Sequence, residues 1–168
     1  MAVYTKMTPK DIEAVVNQYQ IGLVHCYQEI SAGIENTNYF LTTRSTTLGD
    51  SDEAGLQEWV LTIFENLIPD DLPYFCHLTE HLAADGFDVP APIKTKQGEY
   101  LFNFNAGIKN KVGVVVPRLS GCSLNQPSRN DCSQIGGYLA NMHLSLSKFS
   151  QFRPLVRDFK WMAQQKQE

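Results

Sequence analysis

The chain has 168 residues, enough for one domain or one and a fraction, and its 43% hydrophobic and 19% charged residues are ordinary for a globular protein. A net charge of −4 argues against a nucleic-acid groove, which needs clustered Lys and Arg to meet phosphate. No stretch approaches the roughly 18 apolar residues of a membrane span, and the opening MAVYTKMTPKDIEAV soon turns charged and helical, unlike a signal peptide.

Cys26, Cys76, Cys122 and Cys132 form no Cys-x-x-Cys pair. Free thiols in a reducing compartment are therefore expected, and the chain reads as cytoplasmic, with neither nucleic acid nor membrane as partner.

Along the chain, Thr8, Pro9 and Asp11 provide a cap, a first-turn proline and an early acid, which predict a short helix to about Tyr19. Residues His25 to Ala32 read as extended. The turn-forming run GIENTN from Gly33 to Asn38 follows, and NYFLTTR from Asn38 to Arg44 reads as a second strand. Ser45 to Gln57 is acidic, with two glycines, and reads as a mobile surface loop. A third strand is predicted from Glu58 to Phe64.

The run PDDLP from Pro69 announces a helix, with Leu72, Phe75, Leu78, Leu82 and Ala83 at helical spacing to Asp85 and Gly86 as its stop. Lys94 to Phe104 reads as a hairpin around Gln97 and Gly98, and Lys111 to Pro117 as a buried strand rich in valine. Beyond a loop with Gly121 and Pro127, Asp131 to Phe149 is predicted helical, with Ile135, Leu139, Met142 and Leu146 on one stripe. A further helix is expected from Leu155 to Gln167. The resulting order of six strands and one main helix, then helices, implies an α+β chain with a mostly antiparallel sheet.

That order is close to the N-terminal lobe of a protein kinase, and several segments carry a more specific resemblance. GIENTNYFLTT (33–43), WVLTIFE (59–65), DLPYFCHLTEHLAADGFDVPAPI (71–93) and RLSGCSL (118–124) resemble bacterial homoserine kinases of the aminoglycoside phosphotransferase and choline kinase-like family. Even MAVYTKMT looks like their N-terminus, so the resemblance runs from residue 1 to about 165. It implies a kinase-like lobe over 1–117, a hinge over 118–127, and the start of a helical C-terminal lobe over 128–168.

The same resemblance implies where ATP is held. A tight loop that presents backbone N–H groups suits dense phosphate charge; Gly33 permits close approach, and Asn36, Thr37 and Asn38 add short polar side chains. On spacing alone the loop is a hairpin turn, since these are turn residues anyway; the resemblance turns it into a phosphate cover. Many kinases place a phosphate-binding lysine on the third strand, paired with a helix glutamate. Here Thr62 stands at that strand position and Glu80 at the helix position, so Glu80 reads equally well as a solvated helix acid. Arg118 and Leu119 fall in the hinge, where backbone groups would meet the adenine edge, or simply end a buried strand.

A rival motif overlaps this helix. His77, Glu80 and His81 fit His-x-x-Glu-His, a zinc-protease signature, but the third ligand would have to be Glu99 or Glu168. Packing roles for His77, His81 and His143 are the simpler expectation.

Phosphoryl transfer also needs an aspartate for the acceptor hydroxyl and acids for magnesium. After residue 130 the acids are Asp131, Asp158 and Glu168, none in a His-x-Asp setting. The resemblance thus implies the ATP-binding portion of a homoserine kinase, with the magnesium ligands outside this sequence, as in a fragment of a longer enzyme. A stand-alone nucleotide-binding or regulatory relic is the alternative. Homoserine rests on the resemblance; choline, an aminoglycoside or another small alcohol stays open as acceptor. The apolar stripes of 131–167 lead to an expectation of self-association.

Overall fold

The computed structural model describes residues 4–45, 55–66, 69–106, 109–154 and 159–165. Helix α1 (Pro9–Val16) opens on a reciprocal cap: the Thr8 hydroxyl accepts from the Asp11 N–H, and the Asp11 carboxylate accepts from the Thr8 N–H at 2.7 Å. It ends at Val16 rather than Tyr19, because the Gln18 and Tyr19 N–H groups bond carbonyls three residues back and tighten the chain out of the helix.

Strands β1 (Leu23–Ile30), β2 (Asn36–Arg44), β3 (Leu56–Phe64), β4 (Phe102–Ala106) and β5 (Lys109–Pro117) form one antiparallel sheet in the order β1-β2-β3-β5-β4. Its two faces are told apart by the alternation in β2, where Thr37, Tyr39, Leu41 and Thr43 are buried and their neighbours half-buried. On the buried face, Tyr39, Leu41, Leu61, Ile63 and Val115 pack with Ile12, Val15 and Val16 of α1 and with Tyr19 and Phe102. Each large apolar side chain buried there contributes about 1.5–3 kcal/mol. The sheet is drawn close at Gly113, where a Cβ would stand 2.3 Å from the Thr62 carbonyl oxygen and 2.4 Å from the Phe102 ring.

The expected hairpin from Lys94 to Phe104 is not there. Its turn exists, closed by the Gly98 N–H on the Thr95 carbonyl, but the Lys96 N–H and ammonium go to Gln18 and Asn17 at the end of α1. With those donors taken, the strand starts only at Phe102 and pairs with β5, so the described residues hold five strands, not six.

Helix α2 (Leu72–Ala84) follows a short 3-10 turn and stops at Gly86, whose φ of +88° is the left-handed backbone that glycine tolerates. Leu72, Cys76 and Leu82 are its buried residues, whereas Phe75 of the expected stripe is exposed under the Arg153 guanidinium. Helix α3 (Arg129–Leu146) begins two residues before the expected Asp131, because Ser128 caps it; α4 (Phe159–Gln165) closes the described chain. The Ile135 and Leu139 stripe is exposed. Most of the acidic loop before Gly55, and the first residues of the expected last helix, lie outside the described residues. All four cysteines are free thiols, Cys76 buried and the others exposed.

One polar cluster ties the N-terminal segment to three strands. Thr37 is fully buried; its hydroxyl accepts the Tyr4 and Thr5 N–H groups at 2.9 and 3.1 Å and donates to Glu65 Oε1 at 2.7 Å. The Lys111 ammonium meets Glu65 Oε2, with the glutamate side chain 7% exposed and the lysine 19%. Burial alone pushes the Glu65 carboxyl up, but hydrogen bonds from Lys111, Thr37 and Thr5 outweigh it and hold the group below its usual value.

A depressed folded pKa means stabilisation that is complete above the unfolded glutamate value of about 4.3 and lost as pH falls through the folded value. Glu65→Gln is expected to cost about 2–3 kcal/mol at pH 7, the low side for a buried pair because Lys111 keeps some solvent. In urea melts the gap between wild type and variant should narrow as pH falls below about 4. A gap independent of pH would show that Glu65 acts without its charge.

Candidate functional site

The sheet face opposite α1 carries most of the polar residues that the sequence singled out. Asn38 and Thr62 are register partners on β2 and β3, and the Thr62 hydroxyl donates to Asn38 Oδ1 at 2.8 Å. The Asn38 amide nitrogen donates in turn to the Asn36 carbonyl at 3.4 Å, which links loop and strands on one side. Two residues along the same face, Phe40, Val60 and Val116 lie abreast across β2, β3 and β5. They form a half-buried apolar strip beside the polar pair. Alternation in a strand dictates this arrangement: buried Tyr39 and Leu61 force their neighbours to the other side.

Arg118, just past β5, closes the far end of the strip. Its guanidinium stacks 4.4 Å from the Phe40 ring centroid and pairs with Glu58 at 2.8 Å, and its backbone N–H bonds the Glu58 carbonyl. Leu119 follows, 46% exposed. Gly33 lies in the exposed turn between β1 and β2. The arrangement offers an apolar strip flanked by amide, hydroxyl and guanidinium groups, which suits a flat ring joined to a polar tail.

Thr37 is the exception among the loop residues. Its side chain lies on the core face, and its hydroxyl is committed to Tyr4, Thr5 and Glu65.

The structure does not bring Glu80 to Thr62. The carboxylate, exposed on α2, takes a short hydrogen bond from the Tyr100 hydroxyl and pairs with Lys94 at 3.1 Å. The Tyr100 hydrogen bond, helped by Lys94, lowers the Glu80 pKa. Glu80 is thus an exposed helix acid, but a paired one. Its cation comes from the loop after α2, which no spacing rule indicates.

The His-x-x-Glu-His pattern resolves into helix packing. His77 meets the Gln151 side chain at 3.2 Å and lies edge-on to Tyr100. His81 Nε2–H donates to the Ser145 carbonyl at 3.1 Å, and the Ser145 hydroxyl donates to Asp85 at 2.6 Å, so both imidazoles fasten α2 to α3 and the residues after it. Among the described residues no three His, Cys, Asp or Glu side chains are grouped to hold a metal ion.

Sequence reasoning passed over Tyr4, Glu65, Lys94 and Lys111. The first two stood inside segments already noted for their resemblance, but a resemblance does not say which side chains touch.

Comparison with known proteins bears on the family and the fold. The model of the phosphotransferase enzyme family (APH) matches residues 27–167. The homoserine kinase of Cupriavidus pinatubonensis (strain JMP 134 / LMG 1197) is 38% identical over 168 residues, covering all of this chain and 48% of that protein. The homoserine kinase of Janthinobacterium sp. (strain Marseille) is 38% identical over 161 residues, covering 96% and 45%. The chain thus spans about half the length of the curated relatives it matches.

Two solved structures share the fold at low identity. Amicoumacin kinase hAmiN, in complex with AMP-PNP, Ca2+ and Ami, superposes with a TM-score of 0.62 at 15% identity, over 85% of this chain and 40% of that one. Spectinomycin phosphotransferase APH(9)-Ia, in complex with ADP and spectinomycin, gives 0.61 at 14%, over 94% and 45%. The five-stranded sheet with its helices is a kinase-like N-terminal lobe. With the family model matched over most of its length, the chain belongs to the phosphotransferase enzyme family.

Proposed function

We propose that this chain is the nucleotide-binding portion of a homoserine kinase, which transfers the terminal phosphoryl group of ATP to the side-chain hydroxyl of L-homoserine. In that reaction the hydroxyl oxygen bonds to the γ-phosphorus, the bond to the departing ADP oxygen breaks, and the hydroxyl proton leaves. The observation that carries the reading is the joined Asn38–Thr62 pair beside the Phe40, Val60 and Val116 strip, on the sheet face that α1 leaves uncovered. The homoserine kinase relatives supply the acceptor.

In this reading adenine lies along the apolar strip, with the backbone after Pro117 at its edge. The phosphates sit under the loop from Gly33 to Asn38, met by backbone N–H groups and by the amides of Asn36 and Asn38. The lobe covers 1–117, the hinge 118–127, and 128–168 begins a helical lobe; the protein works in the cytoplasm.

Magnesium does not fit the described residues. Asp131 spends its carboxylate on the Ser128 N–H at the start of α3, Glu58 at the far end of the strip is paired with Arg118, and among the described residues no three His, Cys, Asp or Glu side chains are grouped to hold a metal ion.

Asn38→Leu removes the polar end of the strip and leaves the Thr62 hydroxyl without its acceptor. AMP-PNP affinity, read by calorimetry, should fall about five- to tenfold, the effect of one or two hydrogen bonds. Asn103→Ala, at an exposed position of β4, should bind as wild type. Equal losses in both would show that the effect of Asn38 is not specific to the proposed site.

We also propose that the exposed apolar side chains of α3 and α4, among them Ile135, Leu139, Phe159 and Met162, are covered by a second copy in the isolated chain. Light scattering should then show a mass above that of the monomer, falling on dilution. A monomer at every concentration contradicts this.

A further inference from the structure

We infer that the N-terminal segment Tyr4–Met7 is a strap that positions the β1–β2 loop for its ligand, with Tyr4 and Thr37 as its positioning residues. The inference rests on the reading that this loop covers the phosphates. An extended segment outside the sheet is held only by what it bonds, and this one is fastened on both sides of the loop.

At one end, the Tyr4 hydroxyl donates to the Ile34 carbonyl at 2.7 Å, although the Tyr4 ring is 59% exposed and Ile34 itself 85% exposed. A tyrosine so exposed adds little to the core; what its hydroxyl does is fix the plane of one peptide in an otherwise projecting turn. At the other end, Thr37 accepts the Tyr4 and Thr5 N–H groups. A second fastening uses Tyr39, whose hydroxyl accepts from the Met7 N–H at 3.0 Å and donates to the Thr5 carbonyl at 3.1 Å.

The strap thereby holds Thr37 and Tyr39 to the core side of β2. Because side chains alternate, this fixes the rotation of the strand and aims Asn36 and Asn38 at the opposite face. Glu65 backs the arrangement by accepting the Thr37 hydroxyl proton, so the threonine oxygen turns its lone pairs to the strap. A segment far from the ligand thus sets the geometry of the groups that meet it.

The test titrates AMP-PNP into isotope-labelled wild type, Tyr4→Phe, Thr37→Val and Thr37→Ser, reading affinity, amide shifts and melting temperature together. Tyr4→Phe deletes one hydrogen bond to the loop, so affinity should drop about fivefold while the melting temperature moves by no more than about 2 °C. Thr37→Val should lose both affinity and stability, and Thr37→Ser, which keeps the hydroxyl, should regain the affinity. Tyr4→Phe binding within twofold of wild type overturns the strap. So does a loss of affinity matched by a fall of many degrees, which would make Tyr4 a stability residue only. If wild-type amides from Gly33 to Asn38 do not move at saturation, the phosphate-loop reading fails first and the strap falls with it.

Discussion

The structure turns on one buried carboxylate. Glu65, at the end of β3, accepts from Thr37 on β2 and from Lys111 on β5, and through Thr37 it reaches the backbone of Tyr4 and Thr5. An isolated charge so deep would be expensive, and it is tolerated because a cation and hydroxyl donors surround it. The result is that three strands and the chain's first segment are cross-linked at one edge of the core. A hydrophobic layer alone does not fix relative rotation to that degree, since apolar contacts are non-directional.

From this fixed edge the two faces of the sheet acquire different duties. One face is closed by α1 and the aromatic and aliphatic residues around Tyr39 and Leu61. The other keeps Asn38, Thr62, Phe40 and Val60 half-exposed. A ligand that has both a flat apolar part and a charged tail finds the matching surface on the second face. The strand position that many kinases give to a lysine is here Thr62, whose hydroxyl donates to Asn38. Glu80, relieved of that partner, bonds Lys94 and Tyr100 and braces α2 against the loop that follows it.

Much of the fold was legible in the sequence because its signals are local. The Thr8, Pro9 and Asp11 cap, the alternation of NYFLTTR and the stop at Gly86 each act within a few residues, and the corresponding elements stand within about three residues of expectation. The Lys94–Phe104 hairpin failed because its turn chemistry was right and its strand partner was not. Lys96 found acceptors on Gln18 and Asn17, which lie far away in sequence. The candidate site was legible to a similar extent. Asn38 and Thr62 were each named, but their pairing appears only with the strand register, and the inward turn of Thr37 follows from the pleat, which a list of polar turn residues ignores. The roles of Tyr4 and Lys111 depend on contacts made only once the sheet has formed.

The direct test of the Glu65 constraint is native-state hydrogen exchange at the Tyr4 and Thr5 amides, both bonded to Thr37. Terminal amides without partners exchange at nearly free-peptide rates. The account predicts strong protection at both, within the same opening unit as β2 and β5, and loss of that protection in Glu65→Gln. Free-peptide exchange at Tyr4 and Thr5 in the wild-type chain, with β2 and β5 still protected, would contradict it.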